Sequence, residues 1–291
     1  MNEGTVIVDG GRRIGYAEYG VPDGIPLLEF HGVPGSRKYQ LDHGALVAAG
    51  VRLLTLERPG FGLSDRSPDR TLLDWPRDVE AFADALAFER FGVFGVSAGG
   101  PSALACGYAL PERVAVAGLC CALGPHFDNP QFDPLLSAEI QALLPIARAD
   151  RDTALVLVRD FFGPTADAVA SDVVGYFDGP FLEGWSESDR PQFIAKRDQW
   201  IANLEATWGR GVETMVDESG ATYGPWGFDL ADVHVPVRAW HGDLDPIPAE
   251  VIQFVVDEVH DGALTIYRDE AHALADAHHA EWLTALTAWA V

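Results

Sequence analysis

Lysine is nearly missing from this 291-residue chain: Lys38 and Lys196 are the only two among 20 basic residues, against 44 acidic ones. The resulting formal charge of -24 repels phosphate backbones and anionic bilayer surfaces, so neither nucleic acid nor a membrane is an expected partner. Cysteine is also sparse. Cys106, Cys120 and Cys121 lie in apolar contexts with neither a disulfide frame nor the spacing of a metal site, so no metal is expected. No apolar run reaches the length of a membrane span. Met1 to Thr5 do not begin a secretory signal, and a soluble, cytoplasmic protein is the expectation. Internal repeats and low-complexity linkers are missing too. What is abundant is apolar material, 48% hydrophobic and 10% aromatic, which excludes a disordered chain and provides for one substantial core.

Strand and helix signals alternate along much of the chain. Thr5–Asp9 and Arg12–Tyr19 read as two strands joined across Asp9-Gly10-Gly11, an antiparallel start to a sheet. Short apolar strands follow at Pro26–His31, Val51–Glu57, Phe91–Val96 and Val114–Cys120. Between them, helical spacing covers Lys38–Ala49, Thr71–Glu89 and Ser102–Leu110. Such alternation predicts an α/β fold, a mostly parallel sheet covered by helices on both faces.

The rhythm stops near Gly124. From 125 to 225 only helical patterns appear (Ser137–Ala149, Thr153–Phe162, Gln192–Trp208), with turn clusters at Asp178-Gly179-Pro180 and Ser219-Gly220. Residues 125–225 therefore read as a helical cap, or lid, inserted after the sixth strand, and residues 1–124 and 226–291 as the core domain. Trp185, Trp200, Trp208 and Trp226 are available to line a cavity, although filling a core is the commoner fate of tryptophan. Strands resume at Val235–His241 and Leu264–Tyr267, with helices at Pro248–Val259 and His278–Ala290.

Ser97 stands between a strand and a helix in Gly95-x-Ser97-x-Gly99, the context in which this pattern forms a sharp turn that projects the hydroxyl. In a parallel sheet the loops after the strands share one edge, where ligands bind. Ser97, Asp245 and His272 all follow predicted strands and so arrive at that edge. A serine needs a base to take its proton, and an imidazole oriented by a buried carboxylate supplies one. His260, His278 and His279 compete with His272 but lie at helix ends, and Asp243 and Asp128 compete with Asp245. The backbone N–H groups of Ala98 and Val33 are the expected oxyanion donors.

Together these residues resemble the α/β-hydrolase superfamily, in its cap-bearing branch of esterases, lactonases, peroxidase-like enzymes and C–C bond hydrolases. His31-Gly32-x-Pro34-Gly35 is similar to that family's oxyanion loop, Arg58-Pro59-Gly60-x-Gly62-x-Ser64 to its post-strand turn, and Gly242-x-x-Asp245-x-x-Pro248 to its acid loop. Ala271 stands before His272 where glycine is usual, and Glu57 where aspartate is frequent. The resemblance implies a serine hydrolase without a cofactor, cleaving a small, fairly hydrophobic ester, thioester or lactone through an acyl-Ser97 intermediate. C–C bond hydrolysis and a biosynthetic lyase or cyclase on the same triad are the alternatives, and a non-catalytic ligand receptor ranks below them.

Overall fold

The computed structural model describes residues 2–39 and 41–290, so Met1, and Gln40 inside the helix expected over 38–49, lie outside the described residues. Eight strands form one sheet: β1 (Asn2–Ile7), β2 (Arg13–Gly20), β3 (Ile25–Phe30), β4 (Val51–Leu56), β5 (Phe91–Val96), β6 (Val114–Cys120), β7 (Val237–Gly242) and β8 (Gly262–Tyr267). Their spatial order is β1-β2-β4-β3-β5-β6-β7-β8. β1 and β2 pair antiparallel with each other, β2 pairs antiparallel with β4, and every pairing from β4 onward is parallel. This is the mostly parallel α/β sheet that the alternating pattern predicts.

Successive residues of the central strands enter opposite cores, as the two-residue period of a strand requires. Leu28, Leu54 and Val93 join the core built with helices α2 (Trp75–Ala85), α3 (Gly100–Ala109) and, farther along the chain, Ala249–Glu258. Leu27, Leu53 and Phe94 join the opposite core, under helix α1 (His43–Ala48) and the C-terminal helices. There Phe94 stacks on Trp282 with ring centroids 4.4 Å apart and both residues fully buried. Helix α1 is shorter than the expected 38–49, because Asp42 accepts a hydrogen bond from the Ala45 N–H and so starts the helix late.

Between β6 and β7 the described residues hold helices and no strand. They are α4 (Ala138–Ala149), α5 (Arg151–Tyr176), α6 (Arg190–Ala195), α7 (Arg197–Trp208) and α8 (Glu213–Thr222). Several local expectations fail here. α5 runs well beyond the expected Phe162, through Pro164, and departs from helical dihedrals only at Asp172. Asp178-Gly179-Pro180 lies in a π-helical turn, and Ser219-Gly220 lies inside α8 where a loop was expected. The expected helix over 192–208 is split at Lys196. A third apolar cluster, including Phe177, Phe181, Phe193, Leu204 and Trp208, holds this segment together over Phe61 of the sheet domain. The remaining helices are α9 (Ala249–Glu258), α10 (Leu274–Ala277) and α11 (His279–Thr287). No helix among the described residues is long and apolar enough to cross a membrane.

Candidate active site

Ser97 follows β5 directly and adopts φ 52°, left-handed backbone that a residue with a Cβ rarely occupies. The turn continues through Gly99 into α3. At Gly99 a Cβ would collide with the carbonyl oxygens of Phe30 and His31, so only glycine lets the turn lie against the end of β3. Gly32 serves the same purpose from the other side, since a Cβ built there would come 3.1 Å from the Ser97 Cβ. The loops after β3 and β5 thus meet at the serine hydroxyl.

His272 and Ser97 line one cavity. The His272 Nδ1–H donates to Asp245 Oδ2 at 2.8 Å, and the Asp245 side chain is fully buried. The other carboxylate oxygen accepts the Ile247 N–H at 2.7 Å, fixing the acid. Burial pulls the His272 pKa down, but the Asp245 charge and hydrogen bond outweigh it and raise it above the usual 6.5. For Asp245 the same contest ends with its pKa lowered: burial pushes it up, and the facing imidazole more than compensates.

The rival residues are occupied elsewhere. Asp243 accepts the Asp269 N–H at 2.7 Å and braces the loop before His272. His278 pairs with Glu270 at 2.9 Å, His279 with the Asp276 carbonyl at 2.6 Å, and His260 sits beside His234. Asp128 lies outside both cavities that Ser97 borders.

Val33 and Ala98 border a second cavity together with Ser97. The loop carrying Val33 is held rigidly from beneath. His31 is buried with its pKa lowered to about 3 by desolvation, so it is neutral: Nδ1 donates to the Gly32 carbonyl at 2.8 Å and Nε2 accepts the Arg58 N–H at 3.4 Å. The Arg58 guanidinium donates to the His31 carbonyl and to Glu218 of α8. Arg70 also pairs with Glu218, making a buried charge cluster between sheet and helical segment. Glu57, at the position where aspartate is frequent, is completely buried and accepts the Arg37 guanidinium and the Leu63 N–H, each at 2.7 Å.

Several neighbours of the site come from the helical segment; Trp185 and Trp200 are among the tryptophans expected to be available for a cavity, whereas Asp189 and Thr207 carry no local sequence signal. Trp185 stacks on the His272 ring at 5.4 Å, and buried Asp189 accepts the Ala273 N–H at 2.9 Å. Thr207 bridges the N–H and carbonyl of Gly35, both at 3.0 Å. Trp185 and Trp200 line the serine cavity, whereas Trp226 is buried in the core beside α2 and α3. Among the described residues, ligand-type atoms of Cys121, His241 and Asp245 also gather within 4.8 Å of one another. Cys121 directly follows β6 and lies next to the acid, so a cysteine without metal spacing in sequence is brought there by strand order.

The comparisons with known proteins agree with this architecture. Residues 25–156 match the family model described as the alpha/beta hydrolase fold. An uncharacterized hydrolase of Bacillus subtilis is 29% identical over 95% of this chain and 85% of its own. A non-heme chloroperoxidase of Streptomyces lividans is 34% identical over 50% of this chain and 56% of its own. The chain has the α/β-hydrolase fold, and residues 25–156 carry that family's sequence pattern. A bromoperoxidase structure from Bacillus anthracis matches with TM-score 0.72 at 20% identity, covering 99% of both chains, and so shares the fold of this hydrolase. An enol-lactonase from Burkholderia xenovorans matches likewise, with TM-score 0.69 at 13% identity and 99% of both chains covered. The protein is an enzyme, a hydrolase of this fold.

Proposed function

We propose that this hydrolase cleaves a carboxylic ester, thioester or lactone of fairly hydrophobic character through an acyl-Ser97 intermediate. The observation that carries the reading is the Ser97 hydroxyl on a left-handed turn, facing the same cavity as a His272 whose far nitrogen is committed to buried Asp245. His272 takes the serine proton as Ser97 attacks the carbonyl carbon, then returns it to the departing alcohol, thiol or alkoxide oxygen. Water, deprotonated by the same imidazole, then releases the acid. Asp245 keeps Nδ1 protonated, so Nε2 is the basic atom, and stabilises the imidazolium. The N–H groups of Val33 and Ala98 receive the developing oxyanion, and the start of α3 adds favourable potential there.

Residues 125–225 act as the cap. Their side chains form the roof of the site, and an open cavity of about 370 Å³ lies beneath them beside Ser97. Phe161 and Phe162 are shared between that cavity and an apolar crevice of about 270 Å³ where α4 meets α5. An apolar substrate group lies there at low desolvation cost.

The test is covalent labelling with a fluorophosphonate, followed by peptide mass spectrometry. A single adduct on Ser97, lost in Ser97→Ala, is expected, together with turnover of short acyl esters or lactones. An unlabelled Ser97 in folded protein refutes the nucleophile. Turnover confined to β-diketones moves the reaction to C–C bond cleavage.

A further inference from the structure

The cavity shared by Ser97 and His272 is lined by a buried donor that no described residue satisfies. Asn203, on α7, lines this cavity and is fully buried, yet among the described residues its Nδ2 has no hydrogen-bond partner. The amide orientation follows from its neighbour. Ser36 Oγ accepts the Lys38 N–H at 3.1 Å, which directs its own hydrogen toward Asn203 at 2.5 Å. Donation by the hydroxyl places the carbonyl oxygen of Asn203 against Ser36 and leaves the Nδ2 hydrogens unpaired among the described residues. A buried amide left unpaired is costly, so a ligand that satisfies it is distinguished from one that does not.

The walls narrow the chemistry. Tyr39, Trp185, Phe193 and Trp200 surround the same space, so its sides are flat aromatic rings. Tyr39 and Trp200 also contact each other, with centroids 5.2 Å apart. Tyr39 gives its hydroxyl to Asp276 and is therefore committed elsewhere.

We infer that Asn203 is a specificity-determining residue, donating a hydrogen bond to an acceptor oxygen on a flat aryl or cyclic group of the substrate held in this aromatic lobe. The assignment rests on the proposed hydrolase reading for what happens at Ser97, but the recognition itself is a binding event. It names a substrate with two ends: an apolar part for the larger cavity, and a ring bearing a carbonyl or ether oxygen for the Asn203 lobe. Ser36 is the positioning residue, since it holds the amide rather than the substrate.

The probes are methyl benzoates with an acetyl group at the 2-, 3- or 4-position, each compared with its isopropenyl counterpart, where C=CH₂ replaces C=O at nearly equal shape. Binding to full-length Ser97→Ala protein is measured by calorimetry, which removes turnover from the readout. At least one acetyl ester is expected to bind about 10- to 100-fold tighter than its isopropenyl partner. Adding Asn203→Leu together with Ser36→Ala, which removes the donor without orphaning the serine hydroxyl, should bring that ratio to about one. Ser36→Ala alone keeps the donor and should keep most of the preference. Equal binding of every pair, binding of none, or a preference that survives loss of Asn203 overturns the inference. So does a preference that Ser36→Ala abolishes as fully as the double change, because Asn203 is then only a strut. A preserved preference with no turnover by the unmodified enzyme refutes the hydrolase reading and leaves this one standing.

Discussion

Glu29 sits in the middle of the sheet, where a carboxylate is costly. It lies on β3 between Thr55 of β4 and Phe94 of β5, is 2% exposed, and accepts one hydrogen bond, from the Thr55 hydroxyl at 2.6 Å. Burial is the largest influence and raises its pKa from 4.5 to about 7; the Thr55 bond lowers it, Asp276 raises it, and Lys196 lowers it. The native state therefore holds this proton more tightly than the unfolded chain does. Its contribution to stability is fully present below pH 4.5 and is lost as pH rises through 7. At about 1.4 kcal/mol per pH unit, the interval amounts to about 3 kcal/mol.

Glu29→Gln removes the titration while its amide oxygen can still accept from Thr55. Both proteins share every other titrating group, so the difference between their unfolding free energies isolates Glu29. That difference should move in favour of the glutamine variant by about 3 kcal/mol between pH 4 and pH 8. Urea unfolding reads it directly. In calorimetry it corresponds to a relative gain of about 5 °C, using about 2.1 cal/mol/K per residue over the chain. Parallel stability curves at all pH values would refute the reasoning, since they require a Glu29 that titrates alike in the native and unfolded states.

Four further outcomes are expected. The acid limb of kcat/KM should lie above pH 6.5, because the base must be neutral and Asp245 raises the His272 pKa; Asp245→Asn should shift that limb to lower pH and reduce turnover about 10³- to 10⁴-fold. Asp243→Asn, at an exposed brace, should leave turnover within about twofold on the general mildness of surface changes. Gly32→Ala places a methyl 3.1 Å from the Ser97 Cβ, a contact that a shift of the serine turn must relieve, and should reduce kcat in circular-dichroism-normal protein by less than the roughly hundredfold that a misplacement of about 1 Å costs. Glu218→Gln leaves buried Arg58 and Arg70 without their counter-charge and should cost about 3–5 kcal/mol in urea unfolding, whereas Glu213→Gln, at the half-exposed pair with Arg159, should cost under about 1 kcal/mol.

The sheet was legible because each of its strands writes its own signal. In Phe91–Val96 and Val114–Cys120 the apolar run is short, buried on both faces and closed by turn residues, so a local window contains the whole cause of the strand. The same holds for Ser97, Asp245 and His272, whose shared edge follows once the strands are known. Helix α8 is the opposite case. It is buried nearly all round, with Thr214, Asp217, Glu218, Ser219 and Thr222 beside Met215, Val216 and Ala221, so polar and apolar residues share its buried surface, and Ser219-Gly220 reads locally as a loop. Its buried acids are met by charge from elsewhere: Arg58 and Arg70 on Glu218, and Arg66 on Asp217. Helix α5 outruns its local signal for a related reason, since nothing near Phe162 in sequence indicates that packing carries it through Pro164.

This division has a chemical consequence. The groups proposed for bond cleavage reside on turns whose geometry is local, held by glycines and strand ends. The groups that sort substrates reside on helices whose faces are set by contacts far along the chain. Asn203 shows the difference most clearly: its amide is oriented by Ser36, 167 positions earlier, and in sequence it is an ordinary polar residue on a helix. A change of substrate can therefore be made by altering residues such as Asn203 or Trp200 while the Ser97 turn, closed by Gly99 against the end of β3, stays as it is.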